Sequence, residues 1–124
     1  FNISHSHGLV ACAVSDVPVG IDVEKIRPVP PRLMGILSPQ ERKSVRCDAD
    51  FFRLWTLKEA LIKCRGGVLG QIRHVHFDLS GSSIICSVPG YSFSLLPAPA
   101  GYAAALCWEN IEEATESEEQ NEHF

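Results

Sequence analysis

Among its 124 residues the chain has no apolar run approaching the roughly 18 residues a membrane span requires. None of its five cysteines, at 12, 47, 64, 86 and 107, stands in a C-x-x-C pair, and an odd number cannot all be bridged. These absences exclude a membrane-spanning helix and argue against a disulfide frame or a zinc site. The thiols, mostly in apolar segments, are expected to be reduced and buried in a cytoplasmic protein. No signal peptide is expected ahead of the first strand. There is no initiator Met either: the chain starts at Phe1, directly in strand-like sequence, and reads as a piece of something longer. Nor does any Lys or Arg follow Trp108, although Glu109, Glu112, Glu113, Glu116, Glu118, Glu119 and Glu122 all do.

Those seven acids make the formal charge of -4 misleading. With them set aside, eight of the 15 acids remain against 11 Lys and Arg, so the body carries about +3. That mild excess suits a phosphorylated small molecule or an acidic protein partner and is too weak to argue for nucleic acid. Residues 109–124 are expected to form an acidic, disordered tail. Residues 1–108, in a chain that is 45% hydrophobic, suffice for one real core and one domain.

Apolar runs and turn residues divide that domain. Leu9 to Val14 reads as a strand, Ser15 to Pro18 as a turn, and Val19 to Val23 as an alternating strand expected to pair with the first. Arg27 to Pro31 is too proline-rich to continue a sheet, and a short helical piece is expected around Arg32 to Leu37. Ser38-Pro39-Gln40-Glu41 has the form of a capping box, starting a short helix that should reach about Arg46. A long helix follows, capped by Asp48 or Asp50 and ended by Gly66-Gly67. His74 to Leu79, Ser83 to Val88, Tyr91 to Leu96 and Tyr102 to Trp108 read as four strands. The expected fold class is α+β, an antiparallel sheet packed on one long helix.

The long helix carries the most unusual sequence, Phe51 to Lys63. At about 100° per residue, Phe51, Leu54, Leu57, Leu61 and Ile62 share an apolar arc, and Trp55, Glu59 and Lys63 descend its border. Glu59 and Lys63 are either a surface i,i+4 pair, contributing roughly 0.2 to 0.5 kcal/mol, or part of a site. Lys58 falls inside the apolar arc, where a charge must snorkel or find a buried partner.

Two further stretches could carry chemistry. In Val19 to Glu24 the alternation puts Val19, Ile21 and Val23 on one face and Asp22 and Glu24 on the other. Paired carboxylates repel unless solvated or neutralised. They read either as a solvent-facing edge with Lys25 and Arg27 as neighbours, or as ligands of a hard divalent cation, with Glu59 as a candidate third acid. Phe1 to Ser6 offers the Ser4 and Ser6 hydroxyls, the Asn2 amide and the His5 imidazole, donors suited to phosphate oxygens. His7, His74, His76 and His123 show no metal-ligand spacing.

Taken together, FNISHS, VGIDVEKIRP, LSPQE and FFRLWTLKEALIK, in this order, resemble the carboxy-terminal half of an Sfp-type 4'-phosphopantetheinyl transferase over roughly Phe1 to Trp108. The resemblance implies a phosphopantetheinyl-transferase-like half-domain, one of two similar halves with coenzyme A held between them. The activity implied is magnesium-dependent transfer of 4'-phosphopantetheine from coenzyme A to a serine of an acyl or peptidyl carrier protein. Asp22, Glu24 and Glu59 would be the Mg2+ ligands, Ser4 and His5 phosphate contacts beside Asn2, and Lys63 the pyrophosphate-binding lysine. Trp55 and Lys58 match motif positions as packing and support. Glu41 falls where the family often has an acid near the reacting serine, and it also completes a capping box. The serine's proton would go to Glu59 or to a metal-bound hydroxide.

The amino-terminal half of that family, with its basic contacts to the coenzyme's 3'-phosphate, has no counterpart in these residues. A second reading is therefore a non-catalytic half that binds its missing partner half or a carrier protein, with self-association through an exposed apolar edge or face. A third is another phosphate-handling enzyme built on the same three acids.

Overall fold

The computed structural model describes residues 1–67 and 74–110. The acidic tail expected from Glu109 onward falls, beyond Asn110, outside the described residues, as do positions 68–73. Glu109 itself closes the last strand.

Strands β1 (Asn2–Ser6) and β2 (Leu9–Ala13) form an antiparallel hairpin. Its turn is His7-Gly8, with φ of 47° and 89°. Two successive positive φ angles match the right-handed twist of the flanking strands, which is why a two-residue turn closes β1 on β2. The expected pairing of Leu9–Val14 with Val19–Val23 is therefore not found. Strand β3 (Val19–Lys25) instead pairs with β7 (Tyr102–Glu109), and β7 with β6 (Tyr91–Leu95), in an antiparallel sheet ordered β3-β7-β6.

The outer edge of β3 is covered in an unusual way. The backbone N–H groups of Ile21, Val23 and Lys25 donate to the side-chain oxygens of Asn2, Ser4 and Ser6, at 3.0, 3.1 and 3.0 Å. Alternate polar side chains of β1 thus replace the backbone carbonyls that would extend the sheet, and these edge N–H groups are satisfied without a backbone ladder.

Between β3 and β6 lie a 3-10 helix (Pro31–Ile36), α1 (Pro39–Ser44) and α2 (Asp48–Arg65). The capping box is present: Ser38 Oγ accepts the Glu41 N–H at 3.2 Å, and Glu41 Oε1 accepts the Ser38 N–H at 2.8 Å. Helix α1 stops at Ser44, short of Arg46. The start of α2 differs from expectation, because Cys47 is its N-cap and makes no side-chain cap bond. Asp48 and Asp50 accept instead from the N–H groups of Val29 and Arg46. Gly66, in the left-handed region at φ 68°, ends it.

Helix α2 is buried on more than the one arc its apolar spacing predicts. Phe52, Thr56, Lys58, Ala60 and Cys64 join Phe51, Leu54, Leu57 and Leu61 in the interior, while Ile62 is only half-buried. The helix runs through the middle of the core, with Ala103, Ala105 and Cys107 of β7 among its core partners. Of the four expected carboxy-terminal strands, two shrink to β4 (Phe77–Asp78) and β5 (Ile85–Cys86), a separate two-stranded ladder. The class is α+β with antiparallel sheets. All five cysteines are free, but Cys12 and Cys47 are exposed, against the expectation that the thiols are buried. No helix of the described residues is long and apolar enough to cross a membrane.

Candidate functional site

The position of the acids follows from one small residue. A Cβ on Gly20 would stand 2.0 Å from the Ala60 carbonyl oxygen and 2.6 Å from the Cys64 nitrogen, so α2 rests directly on the β3 backbone. Gly20, Asp22 and Glu24 pair with Cys107, Ala105 and Ala103, and cross-strand pairs share a face. A patch of small side chains thus lets the helix come close, and the border of α2 lies along the strand that holds the acids. The face that could have been solvent-exposed is the one the helix covers.

Asp22 is 4% exposed. Its Oδ1 accepts the Ser4 hydroxyl at 3.2 Å and the Lys63 ammonium at 3.1 Å. Lys63 also donates to the Ile21 carbonyl at 3.0 Å. Asp22 Oδ2 is buried with no hydrogen-bond partner. Burial pushes the Asp22 carboxyl up to about 7; Lys63 opposes this, and the charges of Glu24 and Glu59 add to it. Glu59 is raised too, by burial first and by Glu24, with Lys63 opposing. Glu24 is held by the Trp55 indole N–H at 3.3 Å and by Arg27 at 3.1 Å.

The structure therefore makes Asp22, Glu24 and Glu59 electrostatic neighbours without closing them on one point. Among the described residues, no group of three or more His, Cys, Asp or Glu side chains is gathered as a metal site. Lys63 and Arg27 supply the positive charge that two of the acids need. The donor set nevertheless fits a hard divalent cation: three oxygen donors that repel one another, one with a buried, unpartnered oxygen.

The other candidates are dispersed. Asn2 and Ser4 are engaged with β3, and Ser4, 5% exposed, gives its proton to Asp22. His5 lies on the opposite, exposed face of β1, away from the acids. Glu41 is 1% exposed. Its Oε1 meets Lys58 Nζ at 2.8 Å, and its Oε2 accepts the Phe77 N–H at 2.8 Å. Lys58 also donates to the Val75 carbonyl at 2.6 Å, so the charge inside the apolar arc has found its buried partners. A cleft of about 610 Å³, lined by Gln40, Arg53, His76 and Asp78 among others, contains none of the candidate residues. The sequence reading missed the Trp55–Glu24 bond and the role of Gly20. It also missed that the Ser6 hydroxyl, expected as a phosphate donor, is an acceptor for the β3 edge, although the period-2 spacing of Asn2, Ser4 and Ser6 is a signal for it.

Residues 18–114 match the family model of the 4'-phosphopantetheinyl transferase superfamily. The chain is 36% identical over 108 residues to 4'-phosphopantetheinyl transferase psf-1 of Bacillus pumilus, an alignment covering 78% of this chain and 42% of that protein. It is 31% identical over 125 residues to 4'-phosphopantetheinyl transferase Sfp of Bacillus subtilis strain 168, covering 86% and 54%. Against 4'-phosphopantetheinyl transferase AcpT of Escherichia coli K12 it is 35% identical over 114 residues, covering 80% and 57%. The chain thus spans about half the length of these curated relatives. A match across most of the chain, including both the strand of the acids and the helix that covers it, means that this chain belongs to the 4'-phosphopantetheinyl transferase superfamily.

Proposed function

We propose that the chain is the carboxy-terminal half-domain of a magnesium-dependent 4'-phosphopantetheinyl transferase, with its antiparallel sheet packed on the one long helix. It would move phosphopantetheine from coenzyme A to a serine of an acyl or peptidyl carrier protein. The observation that carries this reading is the border of α2, with Trp55, Glu59 and Lys63 laid along the Asp22 and Glu24 strand of a family-matched segment.

In this reading Asp22, Glu24 and Glu59 would hold the Mg2+, Glu24 being the one that is paired with Arg27 in the structure. The chemistry a bound Mg2+ supplies is orientation of the pyrophosphate and neutralisation of charge on the leaving group. Lys63, 28% exposed at its side chain, can reach outward to the pyrophosphate as a cation. In Asn2 the amide hydrogens are the part left for a phosphate, and His5 is a separate contact on the exposed face of β1. The carrier serine Oγ bonds to the β-phosphorus as the bond to the departing adenosine 3',5'-bisphosphate breaks. The serine's proton needs an acceptor, and Glu59, the acid that the helix brings beside Asp22 and Glu24, is the candidate among the chain's own residues. Glu41 acts through structure, tying α1 and β4 to α2.

A second reading, that the half is inactive until joined by another half, is favoured by the hairpin. Phe1, Ile3, Val10 and Val14 lie on its outer face and are 85%, 51%, 67% and 83% exposed. Such an apolar face is suited to a protein contact. Both readings are tested by mixing the chain with apo carrier protein, coenzyme A and Mg2+, with and without an amino-terminal half, and looking for the phosphopantetheine adduct by mass spectrometry. An adduct from the chain alone rejects the second reading. No adduct under either condition rejects the first.

A further inference from the structure

Three side chains of β1 do the same structural work, and one of them also touches an acid of the site. Asn2, Ser4 and Ser6 each accept one N–H from the edge of β3. Ser4 alone also reaches an acid of the site, giving its hydroxyl hydrogen to Asp22 Oδ1 at 3.2 Å. A serine has a single hydrogen to donate, so the contact with Val23 fixes where the Ser4 oxygen sits and leaves its hydrogen directed at Asp22. Both residues are buried, Ser4 at 5% and Asp22 at 4% exposure.

A carboxylate rotates in a broad, roughly two-fold well about its last torsion, so burial alone does not decide which oxygen faces which way. Here Oδ1 is held from the strand side by Ser4 and from the helix side by Lys63, and Oδ2 is the oxygen left without a protein partner. Lys63 is a flexible and partly exposed tether. Ser4 is short, buried and itself anchored to the backbone.

We propose that Ser4 is a positioning residue for Asp22: it pins Oδ1 so that Oδ2 is the atom presented to a divalent cation. The inference rests on the reading of Asp22 as a cation ligand. It gives Ser4 a role toward the carboxylate, at which its one hydrogen is directed. Groups that orient metal ligands typically contribute 10- to 100-fold to affinity when removed.

The test is Mn2+ binding to the 124-residue chain, followed by the loss of the free-ion paramagnetic resonance signal, which needs no turnover. Ser4→Ala is expected to weaken Mn2+ binding by at least about 10-fold. Ser6→Ala is the matched control, because it removes an equivalent strut to β3 without touching Asp22. It should lower the melting temperature comparably and leave Mn2+ affinity within about two-fold of the parent, well short of the change expected of an orienting group. Ser4→Thr, which keeps the hydroxyl, should restore most of the affinity. If Ser4→Ala does not fold, Ser4→Cys, with its weak S–H donor, should show the same loss. Equal effects of the Ser4→Ala and Ser6→Ala changes, or parental affinity in Ser4→Ala, overturn the positioning role while leaving the cation site intact. Absence of Mn2+ binding in the parent, or binding that Asp22→Asn does not weaken, overturns the cation site and this inference with it.

Discussion

Gly20 on β3 and Ala60 on α2 meet backbone to backbone: a single methyl group added to the glycine would lie 2.0 Å from the Ala60 carbonyl oxygen. Backbone cannot yield as a flexible side chain can, so the helix must move or the strand must bend. The acids two and four residues along the same strand ride on that contact, since Asp22 and Glu24 are reached from α2 by Lys63 and Trp55.

Gly20→Ala is therefore expected to destabilise the chain by about 1 to 3 kcal/mol through overpacking. Divalent-cation binding should weaken as well, although Gly20 supplies no ligand. Urea denaturation and Mn2+ titration measured side by side check this. Parental stability in the variant would mean that the helix is not seated on the strand at this point.

Breaking the buried pair of Lys58 and Glu41 should cost more than any surface charge change. Both side chains are 0% exposed and 2.8 Å apart, and burial lowers the Lys58 pKa against the opposing effect of Glu41. Lys58→Ala leaves a buried carboxylate short of its cation, an expected loss of about 3 to 5 kcal/mol. Lys58→Met combined with Glu41→Gln should recover part of that loss. Chemical denaturation of the single and double variants measures the coupling.

Asp22 gives a pH dependence with a definite sign. Its carboxyl is raised from 3.8 to about 7 in the folded chain, so the folded state binds the proton more tightly than the unfolded state does. The associated stability is fully present below pH 4 and is lost as the pH rises toward 7, levelling off above it. Glu59, also raised by burial, contributes with the same sign. Without divalent cation, Asp22→Asn should flatten this slope and stabilise the chain at pH 8 by about 0.5 to 2 kcal/mol. Thermal melts across pH 4 to 8 in the presence of a chelator, for parent and variant, test the sign directly.

Lys63→Ala separates support from chemistry. Its pair with Asp22 is partly open to solvent, so the change should alter stability by no more than about 1 kcal/mol. In a full-length enzyme carrying this half, turnover should fall by well over about tenfold, because a cation aimed at the pyrophosphate is gone. Equal turnover in variant and parent would leave Lys63 only a structural partner of Asp22.

The capping box at Ser38 and Glu41, the long helix ending at Gly66 and the alternation that puts Asp22 and Glu24 on one face were all readable because each depends on residues a few positions apart. The α+β class and the family motifs were readable for the same reason. Local periodicity says which side chains share a face, but not what covers that face. Only the tertiary structure decided that α2 covers the acids, because that depends on Gly20 meeting Ala60 from a helix 40 residues away in the chain. It likewise decided that Ser4 donates to Asp22, that Glu41 pairs with Lys58, and that His5 faces outward. Polar groups take whichever partner burial brings within reach, and in each of these cases the partner comes from a distant segment or is set by the side of a strand that another element covers.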